Sequence, residues 1–240
     1  KKNFISIDGG FIAWLNRAMM TAGDDTLRPA MVGVCLDVVS NGLTMVSTDS
    51  HSLFTRTFAV ESKKEEQLLV SPKIAKALEG FDSTEIFWND KHIGFHSNNI
   101  TVIATRVDAK YPAYRNVIPK DYRANLSLDR QEVIEALQRC CLSMAAERLT
   151  VLALKEEKGT IRFSSHDADF GRRIQVDIAG KYTGQCDRVA INAERLLCLM
   201  NQVDYDKVNL AIHGHNKAIL LTAEDDPDYL GLMTPMYLPE

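Results

Sequence analysis

Apolar positions along the chain follow two alternating rhythms. Short strand-like runs bounded by turn residues give way to stretches in which apolar side chains recur every three or four positions. Residues 4–7 read as a strand, Asp8 as a helix cap, and Phe11, Leu15, Ala18 and Met19 as one helical stripe. Residues 32–36, 43–47 and 52–60 follow as three strands, with Asn41-Gly42 as a hairpin signal. The order strand, helix, three strands then recurs. Residues 68–70 form the next strand, and Ser71-Pro72 opens a helix with Ile74, Ala77 and Leu78 inward and Gly80 past its end. Strands at 85–88, 93–96 and 100–107 complete this copy, with Asn98-Asn99 as a tight turn. A third copy starts with a strand at 125–128 and the cap Asp129. Its helix carries Val133, Leu137, Cys141 and Met144 on one side, ahead of strands at 150–154, 160–164 and 172–178. A fourth has a strand at 189–191, the cap Asn192, a helix over 193–201 with Leu196, Leu197 and Met200 inward, and strands at 208–212, 218–222 and 230–236.

The register supports a true repeat. Ile5-Ser6-Ile7-Asp8 and Leu126-Ser127-Leu128-Asp129 stand 121 residues apart, and Val70-Ser71 and Ile191-Asn192 stand at the same offset. The reading is an α+β chain of four copies, two in each half. Between the halves runs KYPAYRNVIPKDY, whose Pro112 and Pro119 argue against a helix or a central strand. This predicts one domain over 1–109, a rigid extended connector over 110–122 and a second domain over 123–240.

Composition narrows the class. Apolar content of 45% and charged content of 25% over 240 residues suit two globular domains. The longest apolar run, 31–36, is too short to span a bilayer, and no secretory signal pattern opens the chain. It begins at Lys1 rather than Met, which leaves room for residues upstream. Cys35, Cys140, Cys141, Cys186 and Cys198 lack metal-ligand spacing and read as reduced thiols of a cytosolic protein. A net charge of −4 means that any surface facing nucleic acid is a local basic patch on an acidic body. Helical wheels supply one, placing Arg17, Lys73, Lys76, Arg139 and Arg195 outward. The competing reading is a solvated face, since Glu79, Glu135 and Glu194 lie on or near the same surfaces. No aromatic interleaving suggests stacking on single strands.

Catalytic chemistry finds little support. His213-Gly214-His215 with Asp225, Asp226 and Asp228 is the one constellation that suggests a metal-dependent hydrolase; the pair falls at a hairpin turn and the acids in another loop. His92 and His96 read as solvated, and residues 166–169 as a loop. No Gly-rich phosphate loop, nucleophile elbow or Cys-x-x-Cys is present.

Four segments carry a family resemblance: LRPAMVGV at 27–34, STDSHSL at 47–53, YPAYRNVIP at 111–119 and, more loosely, MTPMYL at 233–238. Their order and spacing resemble the bacterial sliding clamp, the beta subunit of DNA polymerase III, over its second and third domains and nearly all of this chain. The resemblance implies the DNA-clamp fold, with helices lining a closed six-domain ring around duplex DNA and sheets outside. It implies no catalytic activity and no cofactor. The partners it implies are duplex DNA, bound without regard to sequence, and DNA polymerase and an ATP-driven clamp loader, bound through short peptides. The implied peptide pocket is built from Met31, Thr48, Ser50, His51, Leu53, Pro112, Val117, Leu232, Pro235 and Met236. With the helical wheels, the residues expected to contact DNA are Arg17, Arg28, Lys73, Lys76, Arg139 and Arg195. The family usually reads Thr-Asp-Gly-His-Arg-Leu where this chain has Ser50 and Ser52, and Met-Pro-Met-Arg-Leu where it has Thr-Pro-Met-Tyr-Leu, so a different partner preference is expected. Without the family's first domain, two arrangements stay open: three chains closing a homotrimeric ring, as in proliferating cell nuclear antigen, or a dimer of a longer three-domain chain. A decoy that binds partner peptides without encircling DNA is a further alternative. The expected location is cytoplasmic, at the nucleoid.

Overall fold

The computed structural model describes residues 3–7, 10–81, 84–142, 149–154, 159–167, 171–185, 188–214 and 217–237. The expected roles of Asp8, Met144, Cys186 and His215 fall outside these residues. Two units divide the chain, Lys1–Tyr114 and Arg115–Glu240.

The first unit runs β1 (Asn3–Ile7), α1 (Phe11–Met19), β2 (Val34–Val39), β3 (Gly42–Thr48) and β4 (Ser52–Phe58), then β5 (Glu66–Val70), α2 (Pro72–Ala77), β6 (Thr84–Trp88), β7 (His92–Ser97) and β8 (Ile100–Thr105). Its two repeats exchange their first strands. β1 joins the second repeat in the order β1-β6-β7-β8, with Ile5 opposite Ile86, and β5 joins the first in the order β4-β3-β2-β5, with Cys35 opposite Leu69. Neither repeat therefore has a complete sheet alone, and the unit folds as a pair. Both helices pack on these sheets and bury Phe11, Ile12, Leu15 and Ala18 from α1 and Ile74 and Ala75 from α2. Ala75, rather than Ala77, is the inward alanine, and Met19 is only half-buried. Helix α2 starts as its sequence dictates: the Ser71 hydroxyl accepts from the Ile74 amide at 3.4 Å and Pro72 fills the first turn. Helix α1 instead follows Gly10, held at φ 78° with no side-chain cap bond.

The proline-rich segment is tied to the first unit before it leaves it. Tyr111 and Tyr114 are buried, with their rings edge-on at 6.5 Å. Tyr114 donates its hydroxyl to the buried Asp37 carboxylate at 2.9 Å, and Tyr111 donates to the Val46 carbonyl at 3.4 Å. Burial pushes the Tyr111 phenol far above its ordinary range, so it stays a neutral donor. The expected extended conformation gives way at Tyr114–Val117 to one turn of 3-10 helix.

The second unit repeats the plan: β9 (Ala124–Asp129), α3 (Arg130–Cys141), β10 (Leu149–Leu154), β11 (Thr160–Asp167), β12 (Arg172–Gly184), β13 (Arg188–Asn192), α4 (Ala193–Asn201), β14 (Lys207–Ile212), β15 (Ile219–Ala223) and β16 (Asp226–Met233). First strands again exchange, β9 pairing with β14 and β13 with β10. Here β12 runs on beyond β11 and pairs with β9, giving the order β13-β10-β11-β12-β9-β14-β15-β16. Asp129 accepts from the Glu132 amide at 3.1 Å and Asn192 from the Arg195 amide at 3.0 Å, so both helices carry the caps their sequences announce. α3 buries Cys140 rather than Cys141, and α4 buries Leu199 while Leu197 is half-buried. Residues expected in loops lie in strands: His166 and Asp167 in β11, and Asp226 and Asp228 in β16.

Candidate partner-binding and nucleic-acid-facing surfaces

In the first unit the resemblance segments converge through backbone hydrogen bonds. The Gly23 amide bridges the carbonyls of Met31, at 3.0 Å, and Thr48, at 3.2 Å, and so fixes the 3-10 turn Pro29–Met31 beside the β3–β4 hairpin. Asp49 organises the hairpin tip: its Oδ1 accepts from the His51 amide at 2.9 Å and also from the Ser52 amide. Thr48 donates its hydroxyl to the Ser52 carbonyl at 2.6 Å and accepts from the Ser50 amide at 3.1 Å. Ser50 sits at φ 77°, a left-handed conformation that disfavours a Cβ. That is the position where the family usually has glycine. The Ser50 hydroxyl accepts from Arg28 Nη1 at 2.8 Å, and Arg28 also meets Asp25 at 3.6 Å. Arg28, expected among DNA contacts, thus lies at this hairpin tip rather than on a helix. His51 is exposed, whereas Leu53 is 2% exposed. Pro112 is exposed, and its carbonyl accepts from the Tyr114 amide at 2.8 Å. Gly23, Asp25 and Asp49 were not picked out by sequence reasoning. Asp49 had a readable signal, an Asp opening a turn in Thr-Asp-Ser-His; Gly23 had none.

In the second unit, Leu232 lies in β16 opposite Leu220 and is 3% exposed. Pro235 and Met236 are half-buried just beyond the strand, and the Met236 amide donates to the Ala190 carbonyl at 2.8 Å. Val117 is exposed at the end of its 3-10 turn.

The helical cations sort by neighbour. Lys73 and Lys76 are exposed on α2, which packs beside α1. Arg17 on α1 does not point freely outward: its guanidinium lies over the Trp14 ring, 4.7 Å from the centroid. Arg139 on α3 is exposed but meets Glu135 at 3.6 Å, and with Glu132, Asp177 and Ile178 it lines a shallow depression of about 270 Å³ between α3 and β12. Arg195 is half-buried in the first turn of α4.

His213 is buried, 4% exposed, with neither ring nitrogen hydrogen-bonded, and lies edge-on to Tyr122 at 6.4 Å. Burial lowers its pKa and Lys217 adds to this, against the opposing pull of Asp121. Among the described residues no three His, Cys, Asp or Glu side chains are grouped to hold a metal. Of the acids that the sequence groups with His213, Asp226 accepts from the Tyr205 hydroxyl and from the Asp228 amide. The hydrolase alternative thus finds no support.

Two units of paired strand-helix-three-strand repeats, sheets carrying a helix pair in each, define the sliding-clamp fold. The chain belongs to the family of DNA polymerase III beta subunits: its central-domain model matches residues 10–113 and its C-terminal-domain model residues 115–237. It is similar to the beta sliding clamp of Staphylococcus aureus, 24% identical over 231 residues covering 94% of this chain and 60% of that protein. The Staphylococcus epidermidis beta sliding clamp is 23% identical with the same coverage. Among solved structures, the Thermotoga maritima DNA polymerase III beta subunit aligns with a TM-score of 0.90 at 18% identity, covering 99% of this chain and 66% of that one. A Pseudomonas aeruginosa sliding clamp bound to griselimycin aligns at 0.90 and 22% identity, covering 98% and 65%. The chain therefore spans about 60% of the length of the curated relatives it matches. Among the described residues no helix is long and apolar enough to cross a membrane.

Proposed function

We propose that this chain works as a DNA sliding clamp, a non-catalytic processivity factor that encircles duplex DNA and tethers DNA polymerase. The observation that carries the reading is the ordered match of two clamp-domain models, central then C-terminal, over residues 10–113 and 115–237. It acts in the cytoplasm on the nucleoid and needs no cofactor. Arg17, Lys73, Lys76, Arg139 and Arg195 meet the phosphate backbone, and Arg28 joins them from its hairpin tip. Such contacts are indifferent to sequence and weaken steeply with salt. Polymerase and clamp loader dock by short peptides on Met31, Thr48, Ser50, His51, Leu53 and Pro112 of the first unit and Val117, Leu232, Pro235 and Met236 of the second. One imidazole and the hydroxyls orient such a peptide, and the aliphatic and thioether side chains take its apolar residues. Ser50 and Ser52 shift the partner preference away from that of clamps with Gly and Arg there.

The clamp closes by self-association, as a homotrimer of this two-unit chain or as a dimer of a longer three-domain chain. Ile100 and Ile103 support this: they are 58% and 61% exposed on β8, which ends the order β1-β6-β7-β8 among the described residues, and an apolar end strand attracts another strand. Light scattering over a concentration series reads the assembly directly. A closed trimer gives three times the 26.9 kDa of one chain without further growth. For the DNA contacts, Lys73→Gln with Lys76→Gln should lower the slope of log affinity against log salt by roughly 1.8. Unchanged retention on DNA would remove both lysines from the interface.

A further inference from the structure

The β3–β4 hairpin tip keeps a side chain where the backbone disfavours one. Ser50 is exposed and sits at φ 77°, at the position where the family usually has glycine. Strain of this kind persists only where the surroundings fix it, and it collects at functional sites. The Ser50 hydroxyl accepts from Arg28 Nη1 at 2.8 Å, across 22 residues of chain. The amide of the same serine donates to the Thr48 hydroxyl at 3.1 Å, so the acceptor stands on a fixed tip. Arg28 is held from its own side as well. Its amide donates to the Asp25 carbonyl at 2.9 Å, and its carbonyl accepts from the Met31 amide at 2.9 Å. Its Nε lies 3.6 Å from Asp25 Oδ2.

A guanidinium carries five N–H donors in a planar fork. Ser50 takes one and Asp25 lies near a second; among the described residues the Arg28 side chain makes no other hydrogen bond or ion pair. The pair with Asp25 is weak, since the two side chains are 59% and 50% exposed. Donors on Nη1 and Nη2 therefore remain for an incoming anion, in the fork that suits a carboxylate. The surroundings choose the anion. Leu27, the residue before Arg28, is 89% exposed, and the 3-10 turn that follows Arg28 ends at Met31 of the peptide surface. A phosphodiester leaves such a leucine in water; a peptide with an acidic and an apolar residue side by side meets both. We propose that Ser50 is a positioning residue that holds Arg28 at the rim of the peptide surface, where the guanidinium takes a carboxylate of the docked partner, from an Asp or Glu next to an apolar residue. This rests on the peptide-docking reading, and the duplex phosphate, the other anion assigned to Arg28, is its competitor.

The test selects short random peptides, displayed on phage, on the full chain. One enriched peptide is then synthesised in its acidic form and with that acid replaced by its amide. Enriched peptides should carry Asp or Glu beside an apolar residue. Read by fluorescence anisotropy, the amide form should bind the parent chain about fivefold to tenfold more weakly. Arg28→Gln should erase that difference, and Arg28→Lys should keep only part of it. Ser50→Gly and Ser50→Ala should each shrink it to about twofold. Ser50→Gly should at the same time raise the denaturant midpoint, because it relieves the left-handed Cβ, whereas Ser50→Ala should not. A merely structural serine would not lose peptide discrimination while the chain gains stability. Enrichment without acidic residues, or an acid-to-amide difference that survives Arg28→Gln or both Ser50 variants, overturns the proposal and leaves the docking reading standing. If Arg28→Gln lowers the salt slope on labelled duplex by about 0.9 and leaves peptide binding unchanged, Arg28 is a phosphate contact and the proposal falls. No enriched peptide at all overturns the proposal together with the docking reading.

Discussion

The two units share one repeat but join their sheets differently. In the second unit β12 outruns β11 and pairs through Gly180–Gly184 with β9, while the Met236 amide bonds Ala190 of β13 at the other end of the strand order. Backbone carries both joints. In the first unit β4 ends at Phe58, and β1 is left as an end strand among the described residues. There a side-chain contact links the sheets: Arg106, just past β8, reaches Glu66 of β5 at 2.8 Å, and Lys64 adds a second cation at 2.7 Å. The sequences explain the difference. After Phe58 comes Ala-Val-Glu-Ser-Lys-Lys-Glu-Glu, a charged run with poor strand propensity; after Ile178 comes Ala-Gly-Lys-Tyr-Thr-Gly, whose glycines let two chains approach. The same topology can thus be closed by a ladder or by an ion pair.

The strongest way to break the comparison is Gly184→Ala. Gly184 has φ 83°, and a Cβ there would stand 1.9 Å from the Arg123 carbonyl oxygen, so backbone must move. A loss of roughly 3 kcal/mol is expected, read as a lower denaturant midpoint. Gly180→Val comes next. Its Cβ would meet Leu128 Cδ2 at 2.6 Å and Ile161 Cδ1 at 2.8 Å, side chains with some room to turn, so about 2 kcal/mol is expected in the same measurement.

Smaller effects follow in the first unit. Glu66→Gln should cost about 1 kcal/mol or less, and the loss should shrink in high salt. Partial burial works to raise the Glu66 pKa, but hydrogen bonds from Lys64 and Arg106 outweigh it and hold the carboxyl below its ordinary range. Its contribution is therefore full above the ordinary carboxylate pKa and is lost as pH falls through the depressed folded value. Thermal melts of parent and Glu66→Gln should differ at neutral pH and converge in acid. His213 sharpens the contrast from the second unit. Its lowered pKa means the folded state binds the proton less readily than the unfolded chain, so stability falls as pH drops below the ordinary imidazole value of 6.5. Melting temperatures of parent and His213→Leu across that range should show a shallower pH dependence in the variant.

What the sequence disclosed was local. The joints at Ser71, Asp129 and Asn192 were legible because cap, helix stripe and preceding strand are written in consecutive residues. The extension of β12 was not, because Gly180 and Gly184 read as turn signals until their close approach to Leu128 and Arg123 is known. Cys140 and Cys141 stand only about 100° apart on a wheel, so the stripe alone does not choose between them, and tertiary packing did. The exchange of first strands leaves no mark in either repeat's own pattern. At the candidate surfaces, the resemblance segments contain Met31, Thr48 and Ser50; the Gly23 amide that joins Met31 to Thr48 and the indole beneath Arg17 came only from the fold.

The most direct measurement of the central claim is retention on DNA of different topology. The chain, a bacterial clamp loader and ATP are incubated with a nicked circular duplex, and the mixture is passed through a sizing column in high salt. The account predicts that the chain stays with the circle and is released when one restriction cut makes the circle linear. Equal loss from circular and linear DNA would contradict it.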